Sequence, residues 1–247
     1  MLDLHSHVLH GVDDGPPTLE GSLEILRAAR ADGIAAIAAT PHVRHDHPTS
    51  PERMEAGVAE LNALDTGVEV LTGGELDLAY LETLDDEALR RFGLGGNRSL
   101  LLLEFPYSGW PLSLRDVVFR LGVGGFAIVL AHPERSPEVQ AAPERLRELV
   151  DAGVVVQLTA ASVDGRLGRR AAATSRALLE RGLAHLIASD AHSPSVRAIG
   201  MRDAAAAVGD EALAAWLTDE VPRALLAGEP LPARPKLRKS RRLRRRV

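Results

Sequence analysis

The chain is 247 residues long, 45% hydrophobic but only 3% aromatic, and without cysteine, so its core must be built from Ala, Val, Leu and Ile. The missing cysteine excludes disulfides, thiolate metal sites and cysteine nucleophiles together, and no apolar run approaches the ~18–20 residues of a membrane span. Residues 234–247 hold nine Lys or Arg and no acid, leaving 20 basic against 34 acidic residues and no lysine before that segment.

The opening stretch, Leu2-Asp-Leu-His5-Ser-His7, is a short apolar strand that runs into two histidines spaced i, i+2. A strand places both imidazoles on one face, and Asp14 follows in the turn Asp-Asp-Gly. Helix Leu19–Ala31 is predicted next, capped by Thr18 and stopped at Asp32-Gly33. Strand 34–39 then ends at Thr40-Pro41-His42, and a helix opens at Ser50-Pro51 with proline at its favoured first position. Strand 68–72 ends at Gly73-Gly74-Glu75, strand 99–103 at Glu104, and strand 125–131 at His132-Pro-Glu-Arg135. Strand 153–158 ends at Thr159 and contributes no ligand; Leu186–Ser189 ends at Asp190-Ala-His192. Helices are expected over Leu112–Leu121, Ala142–Ala152 and Arg166–Gly182.

Near-continuous apolar strands alternating with helices argue for a parallel sheet covered on both faces, as a barrel or a doubly wound sheet. Barrels carry their functional residues at the C-terminal ends of the strands, which is where the candidates gather. They are His5, His7, Asp14, His42, Glu75, Glu104, His132, Asp190 and His192, enough donors for three divalent ions if a carboxylate bridges. Mixed imidazole and carboxylate ligation suits Mn, Fe or Zn, and the carboxylate share favours Mn or Fe. His185 begins a strand and reads as structural. His10, and His45 and His47 in the Arg44–Pro48 loop, read as rim or loop residues. Neither a linker before about residue 229 nor an internal repeat beyond the strand–helix rhythm is visible.

His5-Ser-His7, Asp-Asp14-Gly, Thr-Pro-His42, Gly-Glu75, Glu104-Phe, Ala-His132-Pro-Glu-Arg135 and Ser-Asp190-Ala-His192 resemble the PHP (polymerase and histidinol phosphatase) superfamily. The pattern looks most like its bacterial protein tyrosine phosphatases of capsular and exopolysaccharide biosynthesis. The resemblance implies a distorted (βα)7 TIM-like barrel over residues 1–230 and three metal ions, commonly Mn2+. It places His5, His7, Glu75 and Asp190 on one ion, Glu75 bridging to a second held by Glu104 and His132, and Asp14, His42 and His192 on the third. Arg135 and Arg197 stand where the family carries arginines, placed to pair with phosphate oxygens bidentately.

With no cysteine, an aryl phosphate would be cleaved by a metal-bound hydroxide rather than through a phosphocysteine. The expected partner is a phosphotyrosine protein, a membrane-associated tyrosine autokinase of capsule synthesis. A small-molecule phosphatase of the histidinol phosphate type would use the same ligands. A nuclease is disfavoured by the acidic body, so no nucleic acid partner is expected. A non-catalytic regulatory module is disfavoured by the intact ligand set, and amidohydrolases with a carboxylated lysine are excluded by the lysine-free body. Phe105, Tyr107 and Trp110 read equally as a lid over a phosphotyrosyl ring or as loop packing, and Thr159 stands where relatives often have Asn. Residues 231–247 read as a disordered basic tail able to meet anionic lipid. The chain is expected in the cytoplasm, peripheral at the inner face of the membrane through that tail, since its N-terminus lacks signal-peptide features.

Overall fold

The computed structural model describes residues 1–106, 108–195 and 197–236. Its strands are β1 (Leu2–Ser6), β2 (Ala36–Ala39), β3 (His42–Arg44), β4 (His47–Pro48), β5 (Glu69–Leu71), β6 (Glu75–Asp77), β7 (Leu100–Glu104), β8 (Ala127–Ala131), β9 (Val155–Thr159) and β10 (Leu186–Ala188). The α-helices are α1 (Leu19–Asp32), α2 (Pro51–Asn62), α3 (Asp86–Arg91), α4 (Leu114–Val123), α5 (Pro137–Ala141), α6 (Arg147–Asp151), α7 (Ala160–Val163), α8 (Arg169–Glu180), α9 (Met201–Val208), α10 (Glu211–Ala215) and α11 (Val221–Ala227). A π-helical turn at Trp216–Glu220 joins the last two.

Two of the expected strands are each broken into two pieces. Strand 34–39 resumes beyond Thr40-Pro41 as β3, and strand 68–72 resumes beyond Thr72-Gly73-Gly74 as β6. The break is shared: β2 pairs with β5 from Ala36↔Glu69, and β3 pairs with β6 from His42↔Glu75, in the same register on both sides. Pro41 has no N–H to give a ladder, but its carbonyl accepts from the Glu75 N–H at 3.0 Å. Both strands therefore bend together, and His42 and Glu75 open the upper pieces side by side.

Below the bend the order is β1-β2-β5; above it, β10-β9-β8-β7-β6-β3-β4, parallel except for the β3–β4 hairpin. The ring closes between β1 and β10. Ser6 and Ala191 form a parallel bridge, the Asp190 N–H donates to the His5 carbonyl at 2.8 Å, and the His7 N–H donates to the Ala191 carbonyl at 2.9 Å. Asp3, inside the first strand, adds a side-chain stitch: its Oδ1 accepts from the Ser189 N–H at 2.9 Å. The architecture is thus a distorted parallel barrel with helices outside.

The caps follow the sequence. Thr18 accepts from the Gly21 N–H, Gly33 ends α1 at φ 86°, and Ser50 accepts from the Arg53 N–H. Two expected helices are shorter than their spans. In 142–152, Pro143 interrupts the pattern and only α6 is α-helical after a 3₁₀ turn at Pro143–Leu146. In 166–182, Gly168 at φ 93° delays the start to Arg169. The core is aliphatic as composition requires; Leu100 to Leu103 of β7 are all buried. Each such leucine is worth roughly 1.5–3 kcal/mol in apolar burial.

After α11 the chain lies back on the barrel. The Trp216 Nε1–H donates to the Pro232 carbonyl, and Arg234 donates to the Ala184 and Leu179 carbonyls while its guanidinium sits 5.4 Å from the Trp216 ring centre. The rest of the expected basic tail, residues 237–247, falls outside the described residues. Among those described, no helix is long and apolar enough to cross a membrane.

Candidate metal centre

All nine candidate ligands come together at the C-terminal mouth of the barrel. Their donor atoms form four overlapping groups, each within 4.8 Å: His7, Asp14, His42 and His192; His5, His7 and Glu75; His5, His132 and Asp190; and His42, Glu75 and Glu104. Glu75 lies at the middle. Its Oε2 is 3.4 Å from both His5 Nε2 and His7 Nε2 and 3.0 Å from His42 Nδ1, while Oε1 is 2.7 Å from His132 Nε2. Eight of the nine residues are buried, and only the Asp14 side chain, 42% exposed, reaches the surface.

Side-chain hydrogen bonds aim the imidazoles. Nδ1 of His5 faces Gln157 Oε1 at 3.0 Å, Nδ1 of His7 faces Asp13 Oδ2 at 2.6 Å, and Nδ1 of His192 faces the Asp190 carbonyl at 2.9 Å. Each acceptor selects the Nδ1–H tautomer and turns the Nε2 lone pair inwards, the usual arrangement of a metal-ligating histidine. The inward atoms find no hydrogen bond: His5, His7 and His192 Nε2, His42 Nδ1, Glu75 Oε2 and Glu104 Oε1 are buried donors or acceptors without one. Leaving that many buried polar atoms unpaired would cost about 1–3 kcal/mol each. Divalent cations are the partners this donor set fits.

Two of the candidate ligand carboxylates are divided between two directions. Asp190 Oδ1 faces His5 and His7, at 3.5 and 3.4 Å, while its Oδ2 accepts from Arg135 Nη1 at 2.6 Å. Asp14 Oδ1 faces His192 and His42, at 3.1 and 3.5 Å, while its Oδ2 accepts from Arg197 Nη2 at 3.2 Å. Both arginines thus stand at the rim, each holding one carboxylate oxygen while the other points into the cluster.

Electrostatics follow from this packing. Burial alone would raise the Glu75 and Asp190 carboxyls, but the imidazoles around them, His5 foremost, hold both well below the usual range. Burial opposes charge on His5, yet Glu75 and Asp190 outweigh it and raise its pKa. Glu104 moves the other way, to about 8, through burial and then the neighbouring Glu75 charge. Burial lowers His132 to about 4 despite Glu75. Glu75 and Asp190 held ionised, with imidazoles packed against them, form a site that favours added positive charge.

Several contributors escape the sequence reading. Asp13, adjacent to the recognised Asp14, has a fully buried side chain and bonds His7. Gln157 lies on the sixth strand, from which no ligand was expected; it is not among the candidate donors but orients His5. A lone polar residue within Val-Val-Val-Gln-Leu was the available signal. Arg44, two residues beyond His42 on β3, places Nη1 3.5 Å from Glu104 Oε1. Among the other histidines, His10 sits away from the cluster, 3.9 Å from Glu60, and His47 lies 5.9 Å from the His42 ring. His45 meets Tyr80, and His185 accepts from the Val156 N–H, the structural role expected. Phe105 is buried and packs edge-on against Trp110, which Arg145 covers, so these two rings are loop packing; Tyr107 falls outside the described residues.

Comparison with known proteins places this geometry in context. Residues 1–219 match a family model described as "Capsular polysaccharide synthesis, CpsB/CapC". The chain is 34% identical over 202 residues to tyrosine-protein phosphatase YwqE of Bacillus subtilis, covering 80% of this chain and 79% of that protein. It is 28% identical over 218 residues to tyrosine-protein phosphatase CpsB of Streptococcus pneumoniae, covering 83% and 88%. A solved structure from work on YwqE and CpsB, described as metal-dependent tyrosine phosphatases, superimposes with a TM-score of 0.85 at 29% identity over 96% of this chain and all of that one. The match therefore takes in every strand of the barrel and every residue of the cluster, and the chain belongs to the CpsB/CapC family of capsular polysaccharide synthesis.

Proposed function

We propose that this protein is a metal-dependent protein tyrosine phosphatase that hydrolyses phosphotyrosyl proteins at the barrel mouth. One observation carries the reading: a buried cluster of imidazoles and carboxylates, its inward atoms lacking hydrogen bonds, lies directly beneath two rim arginines in a chain with no cysteine. The likeness to YwqE and CpsB, both named tyrosine phosphatases, supports it.

In this reading His5, His7, Asp14, His42, Glu75, Glu104, His132, Asp190 and His192 hold three divalent ions, Mn2+ foremost, with Glu75 shared. Ions held there supply Lewis-acid activation of water and of the phosphoryl oxygens. Arg135 and Arg197 bind the phosphate. Each reaches the mouth from the outer side of a ligand carboxylate, so each is fixed by that contact before substrate arrives. Their charge neutralises the transferred group as negative charge concentrates on it. A groove of about 560 Å³ is lined by Asp77, the strand partner of Glu104, and by Leu78, Pro106, Pro111 and Val117. It gives the polypeptide beside a phosphotyrosine a path away from the mouth, which favours a protein over a small metabolite.

The natural substrate in this proposal is a tyrosine autokinase of capsule synthesis, and the basic residues after Pro232 tether the enzyme to anionic lipid beside it. The deciding experiment compares phosphotyrosine peptides, phosphoserine peptides, histidinol phosphate and a dinucleotide phosphodiester with Mn2+, before and after exhaustive chelation. Phosphotyrosine should be preferred and chelation should abolish turnover. A clear preference for histidinol phosphate would displace the protein substrate, and full activity after chelation would overturn the mechanism. Equal binding of the full chain and of a 1–233 truncation to anionic vesicles would remove the tether.

A further inference from the structure

We propose that Asp13 is a positioning residue that binds two neighbouring ligand groups of the metal centre into one geometry; the inference rests on the metal-centre reading above. Its carboxylate receives three donors from three places. Oδ2 lies 2.6 Å from His7 Nδ1 at the tip of β1 and accepts from the His42 backbone N–H at 2.9 Å, where β3 begins. Oδ1 accepts from the Gly15 N–H at 3.0 Å and closes the turn that presents Asp14. The side chain is 0% exposed.

Each contact acts on a different ligand. The His7 contact leaves Nε2 as the metal-facing nitrogen, 3.4 Å from both Glu75 and Asp190. The backbone contact sets the first residue of β3, and so the root of the His42 side chain. The turn contact sets Asp14, whose Oδ1 faces His42 and His192. His7 belongs to two of the four donor groups, and His42 and Asp14 share one of them with it. A single carboxylate therefore ties the side chain of one candidate ligand, the backbone of a second and the turn that carries a third. Gly15 is required beside it, because a Cβ there would collide with the His7 carbonyl oxygen.

A neutral amide of the same size cannot reproduce this. An asparagine side chain would offer one acceptor oxygen to three donors, and its NH₂ group would face a further N–H. The test measures Mn2+ affinity of Asp13→Asn by calorimetry, with bound metal counted after dialysis and the melting temperature recorded for chelated protein. Mn2+ affinity should fall about 10–100-fold, the usual effect of removing a partner that orients a ligand, while the chelated variant melts close to the parent. A folded variant with the parent's Mn2+ affinity would overturn the role. A second measurement needs no variant: ¹⁵N spectra of the Zn2+-loaded parent should show His7 as the Nδ1–H tautomer, and the Nε2–H tautomer would overturn it equally. Failure of the parent to bind either ion would instead remove the metal-centre reading itself, and the Asp13 role with it.

Discussion

Gly74 precedes Glu75, the carboxylate at the centre of the cluster, and its replacement by alanine probes how that carboxylate is placed. A Cβ at position 74 would lie 2.6 Å from Phe92 Cδ1, 3.0 Å from Phe92 Cγ and 3.1 Å from Val43 Cγ2. Carbon atoms pack at about 3.5–4.0 Å, so ring and strand must separate by about 1 Å. Phe92 and Val43 are both fully buried, at 0% exposure, and neither can swing into solvent. The displacement is therefore taken up by the strand that carries Glu75. Overpacking of this kind costs about 1–3 kcal/mol, and a 1 Å shift at a reacting centre can cost about 100-fold in rate. Gly74→Ala should melt at a lower temperature, bind Mn2+ more weakly and lose kcat/KM on an aryl phosphate. Adding Phe92→Leu should restore part of each loss, because the smaller side chain yields the missing space. Parent-like stability and activity in Gly74→Ala, or a double variant no better than the single, would refute the reasoning.

Arg135→Ala removes the rim guanidinium, 2.6 Å from Asp190 Oδ2, that binds the phosphate in the proposed function. A hydrogen bond to a charged group is worth about 1.5–3 kcal/mol, so kcat/KM should fall roughly 10–100-fold in steady-state assays, with Arg135→Lys intermediate because it keeps the charge but not the fork. His185 gives a pH prediction remote from the metals. Burial, and then the nearby Arg234, lower its pKa to about 4, whereas the unfolded chain binds a proton below about 6.5. Protons taken up by the unfolded state alone make stability fall as pH drops from about 6.5 to 4, by up to ~3 kcal/mol. His185→Asn should flatten that decline in urea unfolding of the chelated protein; identical pH slopes for parent and variant would refute it.

The fold was legible because apolar runs alternated with capped helical stretches, and every run but 153–158 ended in a residue of recognisable chemistry. What the runs concealed was the shared bend. Pro41 and Gly73-Gly74 read as strand ends, yet matched registers on either side carry both strands onward, and His42 and Glu75 begin new pieces instead of closing old ones. The candidate ligands that the structure brings together were legible for the same reason, one strand tip at a time. Their supporting residues were not. Asp13 looks like any turn carboxylate beside Asp14, and Gln157 finds its meaning only when the ring brings it to His5, 152 positions away. The direction of each imidazole depends on such partners and cannot be read from spacing. The Asp190–Arg135 contact likewise joins residues 55 apart.

Backbone strain gathers where the chemistry does. Among the described residues the non-glycine positions with positive φ are Asp65, His132, Asp190 and Arg197, at 41°, 38°, 52° and 49°. Glycine would relieve such strain, which costs about 1–3 kcal/mol per residue, but it would remove a candidate ligand at 132 and 190 and a guanidinium at 197. The compensation lies in the barrel seam. Asp190 gives its N–H to the His5 carbonyl, and His192 gives its own to the Arg197 carbonyl at 3.1 Å. Asp3 joins β1 to the Ser189 N–H just before them. The bonds that close the ring between β1 and β10 are thus the bonds that hold His5, His7, Asp190 and His192 in place. Closing the barrel and gathering the candidate metal centre therefore share the same bonds, because the segment after β10 that completes the ring brings Asp190 and His192 against His5 and His7.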